Sequence, residues 1–366
     1  MTHTSKKKLA PGERIRALVV DDSVIIRRLV THALGEDPNL EVVGSAANGS
    51  IALKMIPLVR PNVVTLDIEM PEMDGLETLR NIRKSYPDLI VIMFSTLSER
   101  GAAITLEALT LGANDYVTKV ANAGSLDQSM ARLRAELVPK LKQFFSFPSE
   151  TPAVSASKIS SVQAPPVATR NGFARPRVAC QAVALGVSTG GPPALATLVP
   201  MLPANFRQPI FITQHMPPVF TRLLADRLQT LTKLRVREAT QGMLVEDGNI
   251  YVAPGDYHMR VARKGTSIIL TLDQSEQENS CRPAVDVMCR SIAEVYGASA
   301  MAVILTGMGR DGLRGIEQMR ALGSYVVAQD EASSVVWGMP GAVVGAGLAD
   351  SIVDLRCIVS EIQKHL

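Results

Sequence analysis

Short, wholly apolar runs alternate along this chain with segments in which apolar residues return every three or four positions. Ala17-Leu18-Val19-Val20, Val63-Val64-Thr65-Leu66 and Ile90-Val91-Ile92-Met93-Phe94 read as strands buried on both faces. Glu41-Val42-Val43-Gly44 and Tyr116-Val117-Thr118 add two more. Helical periodicity fills the gaps at 24–34, 51–59, 76–84 and 102–111. This alternation predicts a doubly wound parallel sheet, a flavodoxin-like α/β domain over 14–137. A second alternation begins near residue 178. Strands are predicted at 182–187, 209–213, 250–253, 301–305 and 325–328, and helices at 193–202, 219–228, 285–296, 313–322 and 352–365. They predict a second, Rossmann-like α/β domain over 177–366. Residues 138–176 break both patterns with repeated Pro, Ser, Ala and Thr, and read as a flexible interdomain linker. An arm packed on a domain stays open as a reading of its first part, because Phe144, Phe145 and Phe147 need cover.

Composition narrows the function classes. The 366 residues favour two domains, and 46% apolar with 20% charged residues excludes wholesale disorder. Net charge is only +3, and residues 139–176 carry five basic side chains against one acidic. The folded parts are therefore near neutral, which speaks against a nucleic-acid partner. Cys180, Cys281, Cys289 and Cys357 form no C-x-x-C pair, so a zinc ribbon or dithiol motif is not expected, and a reducing cytoplasm is. Lys6-Lys7-Lys8 leads into Ala10-Pro11-Gly12-Glu13 without an apolar stretch, so no secretory leader is expected. The uncharged stretches 178–206 and 332–349 are punctuated by Gly and Pro, and read as buried strand–turn–helix units rather than membrane spans. A monomer, not embedded in a membrane, is expected.

Candidate chemistry collects at predicted strand ends, where open parallel sheets bind ligands. The first domain places Asp21 and Asp22, Asp67, Ser95 and Lys119 there, with Tyr116 three residues before the lysine. Converging carboxylates repel unless a cation joins them, and all-oxygen donors suit Mg²⁺. Asp67 could then accept a phosphoryl group whose oxygens Ser95 and Lys119 hold. The set Val20-Asp21-Asp22-Ser23, Leu66-Asp67, Met70-Pro71, Asp74-Gly75, Ser95 and Lys119 resembles the receiver domain of two-component response regulators. The resemblance implies Asp67 as phosphoacceptor, Asp21, Asp22 and Asp67 as Mg²⁺ ligands, Ser95 and Tyr116 as switch residues, and a histidine kinase as phosphodonor. Val120 departs from the proline usual after the lysine.

In the second domain, Gly186-Val187-Ser188-Thr189-Gly190 satisfies G-x-S-x-G between a strand and a helix. Alone it reads equally as a nucleophile turn or a phosphate-binding loop. A serine nucleophile needs a base, and His215 follows a predicted strand, whereas His258 lies in a turn-like segment and the penultimate His365 is expected to fray. Asp311, after the strand 301–305, could orient the base or cap the helix that follows. The order Ser, His, Asp differs from that of α/β-hydrolases. With Ser-Thr-Gly-Gly-Pro, Gln-His-Met-Pro and Gly-Met-Gly-Arg-Asp-Gly, the domain resembles the catalytic domain of chemotaxis protein-glutamate methylesterases. That resemblance implies the triad Ser188, His215 and Asp311, with no cofactor in this half. It also implies methyl-accepting chemoreceptors as substrate, and deamidation of their glutamines. Backbone N–H groups at Thr189 and Met308 are the expected oxyanion donors. A phosphate-binding module and a non-catalytic signalling adaptor remain the competing readings.

Overall fold

The computed structural model describes residues 6–119, 126–147 and 178–366. The first domain is a five-stranded parallel sheet built from β1 (Ile15–Val20), β2 (Leu40–Ala46), β3 (Val63–Asp67), β4 (Ile90–Ser95) and β5 (Asp115–Thr118). Their spatial order is β2-β1-β3-β4-β5. Helices α1 (Val24–Gly35), α2 (Gly49–Val59), α3 (Gly75–Ser85), α4 (Glu99–Thr110) and α5 (Leu126–Lys142) cover the two faces. The first four are each started by a side-chain cap, from Ser23, Asn48, Asp74 and Ser98 respectively, that takes an orphan N–H. Val20 and Leu66 are parallel register partners where the strand order switches between β1 and β3, so Asp21 and Asp67 emerge side by side.

Helix α5 runs past residue 137, where the sequence pattern ends the domain. Pro139 lies inside it. The helix survives because Leu137, Val138 and Leu141 are buried against the sheet, which outweighs one missing N–H. Phe144 and Phe145 are buried as well, and Phe145–Ser146 pairs in parallel with Lys7–Lys8. The start of the expected linker is thus part of the first domain. The remainder, 148–176, and Val120 lie outside the described residues.

The second domain is a seven-stranded, all-parallel sheet in the order β8-β9-β7-β6-β12-β13-β14. Its strands are β6 (Ala182–Val187), β7 (Ile210–Gln214), β8 (Arg235–Glu238), β9 (Asn249–Val252), β12 (Ala300–Ile304), β13 (Tyr325–Gln329) and β14 (Ser351–Val353). A separate antiparallel hairpin, β10 (His258–Lys264) with β11 (Ser267–Asp273), projects from it. Helices are α6 (Gly191–Leu198), α7 (Phe220–Gln229), α8 (Val285–Tyr296), α9 (Leu313–Ala321), α10 (Met339–Gly345) and α11 (Ile358–Gln363). The predicted helix over 352–365 divides into β14, a tight turn at Leu355–Cys357 and α11. The β-branched pair Ile352-Val353 adds to the sheet edge, and the Asp354 side chain accepts from Arg356 N to start the turn. His365 is not frayed: its carbonyl accepts from Cys180 N, and its ring lies 3.8 Å from that of Tyr325. Among the described residues no helix is long and apolar enough to cross a membrane.

The two domains share one hydrophobic core cluster. Tyr116 stacks on Phe220 of α7 at 5.0 Å with the rings 9° apart. Asp115 Oδ2 accepts the Thr189 hydroxyl at 2.8 Å, and Arg222 pairs with Glu99.

Candidate active site and phosphoacceptor site

Both sites lie beyond the carboxyl ends of parallel strands. In the first domain, Asp21 and Asp67 are each only 2% exposed, while Asp22 is exposed. Lys119 Nζ bridges the buried pair, 2.7 Å from Asp67 Oδ2 and 3.0 Å from Asp21 Oδ2. Their other oxygens accept backbone N–H groups, Asp67 Oδ1 from Ile68 and Asp21 Oδ1 from Ser23. Burial and the neighbouring Asp21 push the Asp67 carboxyl up to about 6, against the pull of Lys119 and the Ile68 N–H. Oxygens of Asp21, Asp22 and Asp67 converge within 4.8 Å of one another, and among the described residues the Lys119 ammonium is the one cation that the Oδ2 atoms of Asp21 and Asp67 share. This hard, all-oxygen set, short of positive charge, fits Mg²⁺. Ser95 Oγ accepts from Thr105 Oγ1 at 2.7 Å and donates to the Thr96 carbonyl. Gly75 admits α3 to this rim, since a Cβ there would lie 2.2 Å from the Asp67 carbonyl oxygen.

In the second domain, Ser188 leaves the end of β6 and His215 the end of β7. Val187 and Gln214 are register partners, so the next residues on each strand stand side by side. The serine turn is tied down at three points. Ser188 N donates to the Thr306 carbonyl, and Ser188 O accepts both Gly191 N and the Gln214 side-chain amide. Gly190 turns the chain at φ 79°, and α6 starts with Pro192 in its first turn. The loop after β12 packs directly on the serine: a Cβ on Gly307 would meet Ser188 Cβ at 2.9 Å. Gly307 also bridges in parallel to Trp337, whose indole N–H donates to the Gln329 carbonyl. Among the described residues the N–H groups of Thr189 and Met308 meet no protein acceptor.

His215 Nε2 lies 2.7 Å from Asp311 Oδ2. Asp311 is 2% exposed and takes four further donors: Val285 N, Asp286 N, Gly312 N and Asn279 Nδ2. It therefore caps α8, not the helix that follows it. The residue before α9 is Gly312, which has no side chain for the task. Burial opposes the Asp311 charge, but His215 and these N–H groups hold its carboxyl below the ordinary value. Burial likewise opposes the imidazolium, yet Asp311 and the adjacent Cys281 outweigh it and lift His215 to about 10. His258 is fully buried on β10, with its two nitrogens meeting the Glu276 carbonyl and Ala284 N, so it braces the approach to α8.

Four participants were not singled out from sequence. Asn279 spans Asp311 and Asp286 from a two-residue turn with φ of 52° and 61° at Asn279 and Ser280. Gln214 holds the serine turn, and its position just before His215 was the available signal. Asp115 reaches Thr189 from the other domain. Cys281 closes the Asn279 turn, and its Sγ, a His215 ring nitrogen and an Asp311 oxygen lie within 4.8 Å of one another.

A receiver-type acidic site joined to a serine–histidine–aspartate arrangement on a parallel sheet defines a response regulator with a hydrolase-like output domain. Residues 17–131 match the response regulator receiver domain family and residues 183–362 the CheB methylesterase family. The chain is 48% identical to a protein-glutamate methylesterase/protein-glutamine glutaminase of Trichodesmium erythraeum, over 96% of this chain and 99% of that protein. It is 45% identical to a protein of the same name from a Nocardioides species, over 97% and 96%. The CheB methylesterase catalytic domain of Thermotoga maritima superposes with a TM-score of 0.50 at 41% identity, covering 52% of this chain and all of that one. The chain belongs to the family of protein-glutamate methylesterases/protein-glutamine glutaminases.

Proposed function

We propose that this protein hydrolyses glutamate γ-methyl esters, and deamidates glutamines, on chemoreceptors, under control of a receiver phosphorylated at Asp67 by a histidine kinase. The observation that carries the reading is the His215–Asp311 pair, 2.7 Å apart, on the strand end beside Ser188. Because Nε2 faces Asp311, Nδ1 is the nitrogen left for the serine. Ser188 Oγ attacks the γ-carbonyl carbon as His215 takes its proton. The oxyanion is met by the N–H groups of Thr189 and Met308, each such donor being worth about 10²–10³ in rate. As the intermediate collapses to the acyl–serine, the imidazolium gives that proton to the leaving methoxide oxygen, or to the leaving amide nitrogen of a glutamine, and methanol or ammonia departs. Water, deprotonated by His215, then releases the glutamate carboxylate. Asp311 holds the ring and its positive charge throughout.

In the receiver, Asp21, Asp22 and Asp67 would hold Mg²⁺, which supplies positive charge beside the incoming phosphoryl oxygens. Lys119 moves from two carboxylates to that phosphoryl group, and Ser95 offers its hydroxyl. The unphosphorylated receiver, docked through Asp115 on Thr189 and Tyr116 on Phe220, denies the serine rim to a receptor helix. Phosphorylation loosens that docking.

The direct test is methanol release from methylated receptor. Ser188→Ala removes one hydroxyl from the rim, so turnover is expected to vanish with Tm shifted by no more than about 2 °C. Activity within tenfold of the parent would overturn the assignment.

A further inference from the structure

We infer that His215, Cys281 and Asp311 form a binding site for a soft or borderline divalent cation, zinc above all, and that its occupation switches the esterase off. The inhibitory half of this inference rests on His215 being the esterase base; the binding half does not.

One thiol, one imidazole and one carboxylate, each from a different segment, place donor atoms within 4.8 Å of one another. Around Zn²⁺ such donors stand about 2.0–2.3 Å from the metal and so about 3.4–3.6 Å from each other. Closing onto an ion therefore asks for a shift of no more than about 1.4 Å at any donor pair that is too far apart. Cys281 can supply much of it, since it sits at the end of a two-residue turn and is half-buried rather than locked in the core. His215 is also partly open, with its side chain 13% exposed. The donor set is mixed N, S and O with one position left for water, which suits zinc and disfavours Mg²⁺ or Ca²⁺.

The surroundings are anionic. Asp286 is 1% exposed and Asn279 ties its carboxylate to that of Asp311. Glu278 stands at the other end of the Cys281 turn, neutralised by Arg290. Binding replaces protons: the thiol loses one to solvent, and the imidazole gives up the ring proton at the coordinating nitrogen. An imidazole whose lone pair is on a metal cannot take the serine proton, so the bound state is inactive. The cation is thus an inhibitor, distinct from any cofactor.

The test uses the full chain in excess Mg²⁺, so that the receiver carboxylates are already served. Co²⁺ is added first, because a thiolate ligand gives a near-ultraviolet charge-transfer band that carboxylates alone do not. The parent should show the band, and Zn²⁺ should abolish it by displacement. Cys281→Ser and, as a second replacement, Cys281→Ala should both lack the band, while Cys357→Ser should keep it. The Zn²⁺ concentration that halves methanol release, each variant being referred to its own rate in chelator, should rise by on the order of tenfold or more in both Cys281 variants. No band in the parent, a band that persists without Cys281, or unchanged zinc sensitivity in both variants would overturn the site. A band with no ester turnover at all would instead sink the esterase reading and leave the metal site standing.

Discussion

At Asp311 five donors meet two oxygens, and that count decides what a substitution does there. An amide has one accepting end, so Asp311→Asn turns an N–H₂ group toward at least two donors. The change should cost about 1–3 kcal/mol of stability as well as turnover. His215→Ala should cost turnover with less loss of stability. Thermal melting and methanol release on the two variants separate the effects. The raised His215 value has a pH signature with a definite sign. The base works only when neutral, so hydrolysis of a small ester should climb with pH from neutrality toward about 10. Stability moves the other way. The fold binds the imidazole proton more tightly than the unfolded chain does, with its ordinary value of about 6.5. That stabilisation is complete below about 6.5 and is lost as pH rises toward 10. The melting difference between the parent and His215→Ala should shrink over that window; a constant difference would remove the argument.

At the scale of elements, strands buried on both faces were legible because their whole length is apolar, as in Val183-Ala184-Leu185 and Ile90-Val91-Ile92. The hairpin β10–β11 was not, because half-buried Arg260 and exposed Arg263 and Lys264 interrupt the apolar pattern. The C-terminal helix was misread because the same Ile and Val residues that suit a helix face also pair at a sheet edge. Ser188, His215 and Asp311 could be picked out because each follows a strand. Asn279 and Asp115 could not, since their partners are 32 and 74 residues away and nothing local marks them. The loop after β12 gives an element-level prediction. Gly307→Ala would drive a methyl into Met339 Sδ at 2.4 Å and Ser188 Cβ at 2.9 Å, so the loop must retreat from the serine. A displacement of about 1 Å near reacting groups can cost about 10²-fold in rate. A fall in kcat/KM of that order is expected with only a modest drop in Tm, and an unchanged kcat/KM would show that the loop is not placed by this contact.

Across the whole molecule, the two sites communicate only if docking is reversible. Thr189→Val keeps the backbone N–H and the side-chain shape but leaves Asp115 Oδ2 without its 2.8 Å donor. Losing a hydrogen bond to a charged group is worth about 1.5–3 kcal/mol, or one to two decades in the docking equilibrium. Basal hydrolysis of receptor by the unphosphorylated variant should rise about tenfold, and phosphodonor should add little further. Equal basal rates would argue that the receiver does not cover the rim through this contact. Asp67→Asn should abolish labelling by a small phosphodonor while leaving basal hydrolysis in place. The position of Trp337 carries a last consequence, for observation rather than catalysis. It is the only tryptophan in the chain. It is bridged to Gly307 under the serine, while its neighbours Val335 and Val336 pack against the receiver core. The protein therefore carries a built-in fluorophore at the junction of both events. Its emission under selective excitation should register domain release and acylation of Ser188 in real time, with no label attached.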